Sequence, residues 1–180
     1  DIKKTLKKDG IVIVHGGGKG AASTEARQLV SSGWVVLAID ARGLGETRHI
    51  PEEYGSDWPR YFGDYDSAMT LLLSGRTLLG GRVLDIVQGV NLLTMRPEVD
   101  AGRIAGIGIA GGCIPLLHAA ALDPRIKRAA LDGMLVSYMS VVRHKISRGV
   151  FEDVVPGVLK SYDLPELARG LSPREVWLID

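Results

Sequence analysis

A chain of 180 residues, 46% of them hydrophobic, is long enough for one domain with a real core, because about 150 residues already bury roughly two-thirds of the surface their unfolded chain exposes. Twenty-two basic residues against 21 acidic ones leave a formal net charge of +1, so there is no field of the strength a nucleic-acid or anionic-membrane surface needs. No uncharged apolar run of about 18 residues is present to span a bilayer, and the single cysteine, Cys113, excludes an intrachain disulfide without fixing the compartment.

In chain order, Lys3, Lys4, Lys7 and Lys8 form the only basic cluster and read as a solvated leading segment. The first residues lack the apolar stretch of a signal peptide. The apolar run Ile11–Val14 reads as a strand and leads into His15-Gly16-Gly17-Gly18. Residues Ser23–Ser32 have helical spacing, and Trp34–Ile39 reads as the second strand. Residues 48–60, with two prolines and mixed charge, read as a long surface loop of the kind that carries binding residues. Helical spacing returns over Tyr65–Leu73 and Arg82–Met95, the latter ended by Arg96-Pro97. Strand Ile104–Ile109, helix Ile114–Leu122, strand Arg128–Leu131, helix Val136–Lys145 and strand Val176–Ile179 complete the reading. Nearly continuous apolar strands separated by helices imply a parallel sheet covered on both faces, an open doubly wound α/β domain over residues 1–180. The chain begins at Asp1 and ends inside a strand pattern, so both ends look cut. Exposed sheet edges would then favour pairing with another chain, and a homo-oligomer is conceivable.

Two glycine-rich turns carry the chemistry. Gly108-Ile109-Ala110-Gly111-Gly112 has the spacing of a G-x-S-x-G nucleophile elbow between a strand and a helix, with Ala at the central position. The flanking glycines allow a turn sharp enough to lift residue 110 above the sheet. The turn is specified, and its nucleophile is not. The first turn, His15 to Gly18, leaves backbone N–H groups at Gly16 and Gly17 unobstructed, and with the N–H of Gly111 they could hold an oxyanion. His15 reads as the residue that shapes this turn. The same segment also fits G-x-G-x-x-A over Gly16–Ala21, with Asp40 closing the next strand, which is the arrangement of a dinucleotide site in an NAD(P)-dependent Rossmann oxidoreductase. Against that reading, no Tyr has a Lys four residues later, and Asp40 runs into a further glycine turn, Ala41 to Gly45.

The segments Arg103 to Gly112 and Asp123 to Asp132, joined by a Leu- and Ala-rich helix, resemble the elbow, following helix and next strand of α/β-hydrolases. With Asp40 to Thr47, Leu79 to Asp85 and Arg96 to Asp100, the pattern is similar to the acetyl xylan esterase-like, dienelactone hydrolase-like branch over most of residues 11–180. The resemblance implies carboxylic-ester hydrolysis, with acetylated carbohydrate as the substrate class and Ser expected where Ala110 stands. It also implies an acid near Asp180 and a His beyond it; Asp132, at a strand end, is the other candidate acid. With Ala110, little or no esterase activity is expected. A silent domain that binds a small-molecule ester is the alternative.

Cys113 is expected one helical turn beneath the elbow as a buried thiol, His118 as a hydrogen-bonded core residue, and His49 and His144 as solvated. Scattered His and one Cys offer no metal-ligand spacing, Gly18-Lys19 lacks the Ser or Thr of a phosphate P-loop, and no cofactor is expected.

Overall fold

The computed structural model describes residues 6–48 and 63–180. Five strands form one sheet, β1 (Lys8–His15), β2 (Val35–Ile39), β3 (Val99–Ile109), β4 (Ile126–Asp132) and β5 (Glu175–Ile179), in the order β2-β1-β3-β4-β5. Every pairing is parallel, as the unbroken apolar runs require. Around the sheet lie α1 (Ser23–Ser31), α2 (Tyr65–Leu73), α3 (Leu78–Thr94), α4 (Cys113–Leu122), α5 (Tyr138–Arg143) and α6 (Leu164–Arg169), with single 3-10 turns at Gly45–Thr47, Ala110–Gly112, Val150–Asp153 and Val158–Lys160.

Alternate residues of a strand face opposite sides of the sheet. Val12 and Val14 join Ile86 and Val90 of α3 and Leu116 and Leu117 of α4 in the main core, while Ile11 and Ile13, on the other face, are buried as well. Helix α4 is buried from Cys113 to Ala120, which fits its position against β3, β4 and α3. Glycine makes some of these contacts possible. Gly89 of α3 sits where an added Cβ would meet Leu37 at 3.4 Å and Val12 at 3.6 Å.

Several elements differ in extent from the sequence expectation, β3 beginning at Val99, five residues before the expected Ile104, and α5 spanning Tyr138–Arg143 within the expected Val136–Lys145. Helix α3 begins at Leu78, four residues before the expected Arg82, because the Thr77 side chain accepts the Gly80 N–H at 2.9 Å and caps the helix. Helix α6 was not anticipated. Its signal was present as Asp163-Leu-Pro-Glu166, a reciprocal cap in which the Asp163 N–H donates to Glu166 at 2.6 Å and the Leu164 N–H donates to Asp163 at 2.7 Å.

Arg82 is thereby drawn inside, only 1% exposed. Its guanidinium pairs with Glu152, and its Nε donates to the Arg42 carbonyl at 2.9 Å. Glu152 also accepts the Asp64 N–H at 2.7 Å. The chain on both sides of residues 49–62 is thus fastened to one buried ion pair. Losing one partner of such a pair is far costlier than the pair is stabilising, since it strands a buried charge.

Among the described glycines, the one with the least room for a side chain lies between β1 and the start of α4. A Cβ at Gly112 would stand 2.0 Å from the Val14 carbonyl oxygen. We therefore expect Gly112→Ala to destabilise the protein by about 3 kcal/mol or more, read as a lowered Tm in thermal unfolding. Gly20→Ala, with nothing within 4 Å of the new methyl, should leave Tm unchanged; equal behaviour of the two variants would contradict this packing.

Candidate active site at the carboxyl edge of the sheet

Parallel register aligns the strand ends that matter. His15 pairs with Ile109, Ile109 with Asp132, and Asp132 with Ile179. The residues that leave those strands, Gly16, Ala110, Gly133 and Asp180, therefore emerge side by side at the carboxyl edge, where open α/β sheets form their binding crevice. Adjacent strands are about 4.8 Å apart, so Asp132 stands one strand from the elbow and Asp180 two.

The elbow has the strained geometry its glycines permit. Ala110 has φ +51° and is the only non-glycine residue with positive φ among the described residues. It is exposed at the tip of the turn. An L-residue held there costs on the order of 1–2 kcal/mol. Three glycines remove the obstacles to it. A Cβ at Gly108 would lie 2.7 Å from the Cys113 Cα, one at Gly112 would strike β1, and one at Gly16 would lie 2.7 Å from the Gly111 nitrogen. Gly16 and Gly111 therefore face each other across the crevice floor. The Gly111 amide opens a helical turn, where N–H groups have no intrahelical acceptor.

The glycine turn after β1 differs from the expectation of open amides at Gly16 and Gly17. The Gly16 N–H donates to the Ile109 carbonyl at 3.0 Å, continuing the sheet ladder. The Gly17 N–H donates to Nδ1 of His15 at 2.8 Å. His15 thus shapes the turn, and its Nδ1 is the acceptor, so a neutral ring carries its proton on Nε2. Of the amides expected to hold an oxyanion, those of Gly16 and Gly17 are thus taken by Ile109 and His15, and that of Gly111 is not engaged by either.

The space a dinucleotide would need is filled. A Cβ at Gly18 would meet the Gly45 Cα at 2.4 Å, so the loop after β2 lies directly on the turn. The Asp40 carboxylate accepts the Lys19 N–H at 2.6 Å and pairs with the Lys19 ammonium at 3.2 Å. Burial works against its charge, but the Lys19 backbone and side chain and the Glu46 N–H hold it below its ordinary pKa. A carboxylate already satisfied in this way is not free to receive a ribose hydroxyl.

Cys113 is fully buried, its Sγ 3.1 Å from the carbonyl oxygens of Gly108 and Asp132. Burial pushes its thiol up to about 12, although its contact with the Asp132 backbone opposes that, so Cys113 offers no thiolate near neutral pH. The same contact joins the elbow helix to the end of β4. Gly133 follows at φ +69°, where an added Cβ would stand 4.0 Å from the Ala110 Cα, and the Gly133 N–H donates to the Ile179 carbonyl at 3.0 Å. This places Asp132, which is partly buried, beside the elbow, and Asp180, which is exposed, at the outer end of the row.

Of the histidines, His118 lies in the core, Nδ1 2.8 Å from the Ile114 carbonyl and Nε2 2.9 Å from the Tyr162 hydroxyl. Burial lowers its pKa, and its bonds account for both ring nitrogens. His144 is exposed, with Nδ1 2.6 Å from the Ser140 carbonyl. His49, Trp58 and most of the loop expected over residues 48–60 lie outside the described residues. Among the described residues no group of three or more His, Cys, Asp or Glu is placed to hold a metal ion, and no helix is long and apolar enough to cross a membrane. Gly133 was not singled out from sequence; a glycine directly after a strand-end Asp was its signal.

No protein-family profile matches the chain. The presumed hydrolase YtaP of Bacillus subtilis (strain 168) is 27% identical over 148 residues, covering 82% of this chain and 46% of that protein. Among solved structures, a presumed acetyl xylan esterase of Bacteroides fragilis superimposes with a TM-score of 0.81 at 18% identity, covering 98% of this chain and 53% of the other. The acetyl xylan esterase of Paenibacillus sp. R4 gives a TM-score of 0.59 at 26% identity, covering 92% of this chain and 53% of the other. The chain spans about half the length of each of these proteins. Its strand order, its strained turn after β3 and these likenesses together show the α/β-hydrolase fold.

Proposed function

We propose that this domain derives from a carboxylic-ester hydrolase acting on acetyl esters, with acetylated carbohydrate as the substrate class. In its present form it would hold such an ester at the carboxyl edge without cleaving it. The observation that carries the reading is the left-handed, exposed Ala110 at the tip of a strand-turn-helix elbow. An exposed residue held at positive φ between a strand and a helix is the geometry that presents a nucleophile to an acyl carbon. The similarity to acetyl xylan esterases supports the substrate class.

With a serine at position 110, Oγ would attack the acyl carbon while a base takes its proton. The Gly111 N–H would stabilise the oxyanion, and the alkoxide would leave as the alcohol on receiving the proton back. Asp132 is the better placed of the two candidate acids, since it neighbours the elbow strand. Asp180 would act from two strands away. With a methyl group in place of the serine hydroxymethyl no acyl-enzyme forms, and loss of a triad nucleophile costs on the order of 10⁶ in turnover.

The test is hydrolysis of p-nitrophenyl acetate by the full-length protein, with position 110 as found and with the substitution Ala110→Ser. The expected result is no turnover above buffer for the protein as found and a gain of at least about 100-fold for the serine variant. Equal rates in both would place any catalysis elsewhere. Absence of turnover in both, with saturable binding of an acetylated xylo-oligosaccharide, would favour the silent binding domain, for which Ala110 is itself the argument. The strain has a separate readout. Ala110→Gly should stabilise the protein by about 0.5–1 kcal/mol in denaturant unfolding, the relief of positive φ exceeding the entropy glycine adds to the unfolded chain. Destabilisation of that size would contradict the elbow geometry.

A further inference from the structure

Among the described residues, three carboxylates surround one buried cation where the turn at 150–153 meets α3. Arg82 pairs with Glu152 and donates from Nε to the Arg42 carbonyl. Asp64, also buried, stands beside the same guanidinium, since a Cβ added at Gly43 would lie 2.8 Å from its Oδ2 and 3.1 Å from Nη2 of Arg82. Asp153 is the third, near enough for Arg82 and Glu152 both to act on its charge. Arg42 does not restore the balance, because its own guanidinium donates to Asp85 at 2.9 and 2.6 Å. Three negative charges against one positive are too costly to hold together out of water, so one acid must keep a proton. The hydrogen bonds single it out. Glu152 accepts from Arg82 and from the Asp64 N–H, and Asp64 accepts the Ser67 N–H at 3.4 Å, whereas Oδ1 of Asp153 is buried without a partner. Burial pushes the Asp153 carboxyl up to about 7, with Arg82 opposing and Glu152 adding to the rise.

The turn that carries Asp153 is also a junction. Phe151 meets Tyr65 of α2 edge-on, ring centroids 4.9 Å apart, and Glu152 holds α3 through Arg82. Asp153 itself lies near Cys113 at the start of α4 and Tyr138 of α5. Burial chiefly, and the charge on Asp153 as well, raises the pKa of that thiol and that phenol, so both stay neutral where Asp153 titrates. Arg148, the other charged residue lining the adjoining cleft, keeps its charge throughout. We propose that Asp153 is a proton-operated latch for this junction. As the neutral acid it leaves Arg82 to Glu152 and Asp64, which hold the turn on α2 and α3. Once ionised it competes for Arg82, and the turn loosens. The latch does not depend on the esterase reading, because the groups that exchange partners lie outside the elbow.

The folded carboxyl holds its proton up to about 7, while the unfolded one gives it up near 3.8. Its stabilising effect is therefore full below about pH 4 and is lost as pH rises to about 7. His118 acts in the opposite direction, since burial lowers its pKa and charging it costs stability as pH falls. A change confined to Asp153 separates the two. The test is thermal unfolding of the full chain between about pH 5 and about pH 8, beside Asp153→Asn, which keeps the side chain's shape and fixes it uncharged. The Tm of the protein as found, minus that of the variant, should fall by at least about 3 °C over that range. Hydrogen exchange supplies a local readout at the Asp64 amide, which donates to Glu152. Its protection relative to an unstructured amide should drop at least about tenfold over the same range in the protein as found, and by less than about twofold in Asp153→Asn. If the Asn variant fails to fold, exchange in the protein as found decides. A Tm difference that is constant or rises with pH, or an Asp64 protection that does not change, would overturn the proposal.

Discussion

The close approach of backbone to backbone where β3 turns into α4 constrains the rest of this structure. Gly108, Gly112 and Gly16 each occupy a position where a single methyl group would lie within 2.7 Å of main-chain atoms. Only by that approach can β3 end beside β1 and reverse into a helix within one residue, and the residue left at the apex is forced into a left-handed conformation. Ala110 bears the strain. The surrounding core must therefore over-determine the turn, and it does so through α4, whose residues from Cys113 to Ala120 are buried against two strands and α3.

Charged groups then fix what lies around that apex. Lys19 and Asp40 tie the first glycine turn to the loop after β2. Buried Arg82 with Glu152 ties the chain at Arg42 and Asp64 to the turn at residues 150–153. Each device uses a carboxylate to accept backbone N–H groups as well as a side-chain cation, so the satisfied hydrogen bonds offset part of the desolvation that an ion pair alone would suffer. The first of these clamps holds the loop after β2 directly on the glycine turn that a nucleotide phosphate would have to approach. The turn at 150–153 also supplies Asp153, whose Oδ1 is buried without a hydrogen-bond partner.

Much of this was legible in the sequence, for reasons that are physical. Continuous runs such as Ile11–Val14 can only be buried on both faces, which dictates a parallel sheet. The spacing of Gly108, Ala110 and Gly112 dictates the elbow because few other residues tolerate those contacts. Cys113 and His118 were placed in the core by their position on an apolar helix, and their hydrogen bonds agree. Less was visible where the outcome depends on distant partners. Nothing local to Gly16 and Gly17 shows that their amides are taken by Ile109 and His15. Arg82 read as the first residue of a helix, and its burial follows from Glu152, 70 residues further along the chain. Helix α6, by contrast, announced itself locally through Asp163 and Glu166. It was missed because its apolar periodicity is too short to register.

The conformation at position 110 links the fold to the functional reading proposed for it, since an exposed apex held at positive φ between a strand and a helix is the position in which a hydrolase elbow presents its nucleophile. A crystal structure of the protein, with the Ala110 backbone resolved, tests this most directly. The account predicts a positive φ near +51° at Ala110 and a Gly111 amide facing Gly16. A right-handed Ala110, with α4 simply continuing back through residue 110 and the Gly16 to Gly111 approach opened, would contradict it.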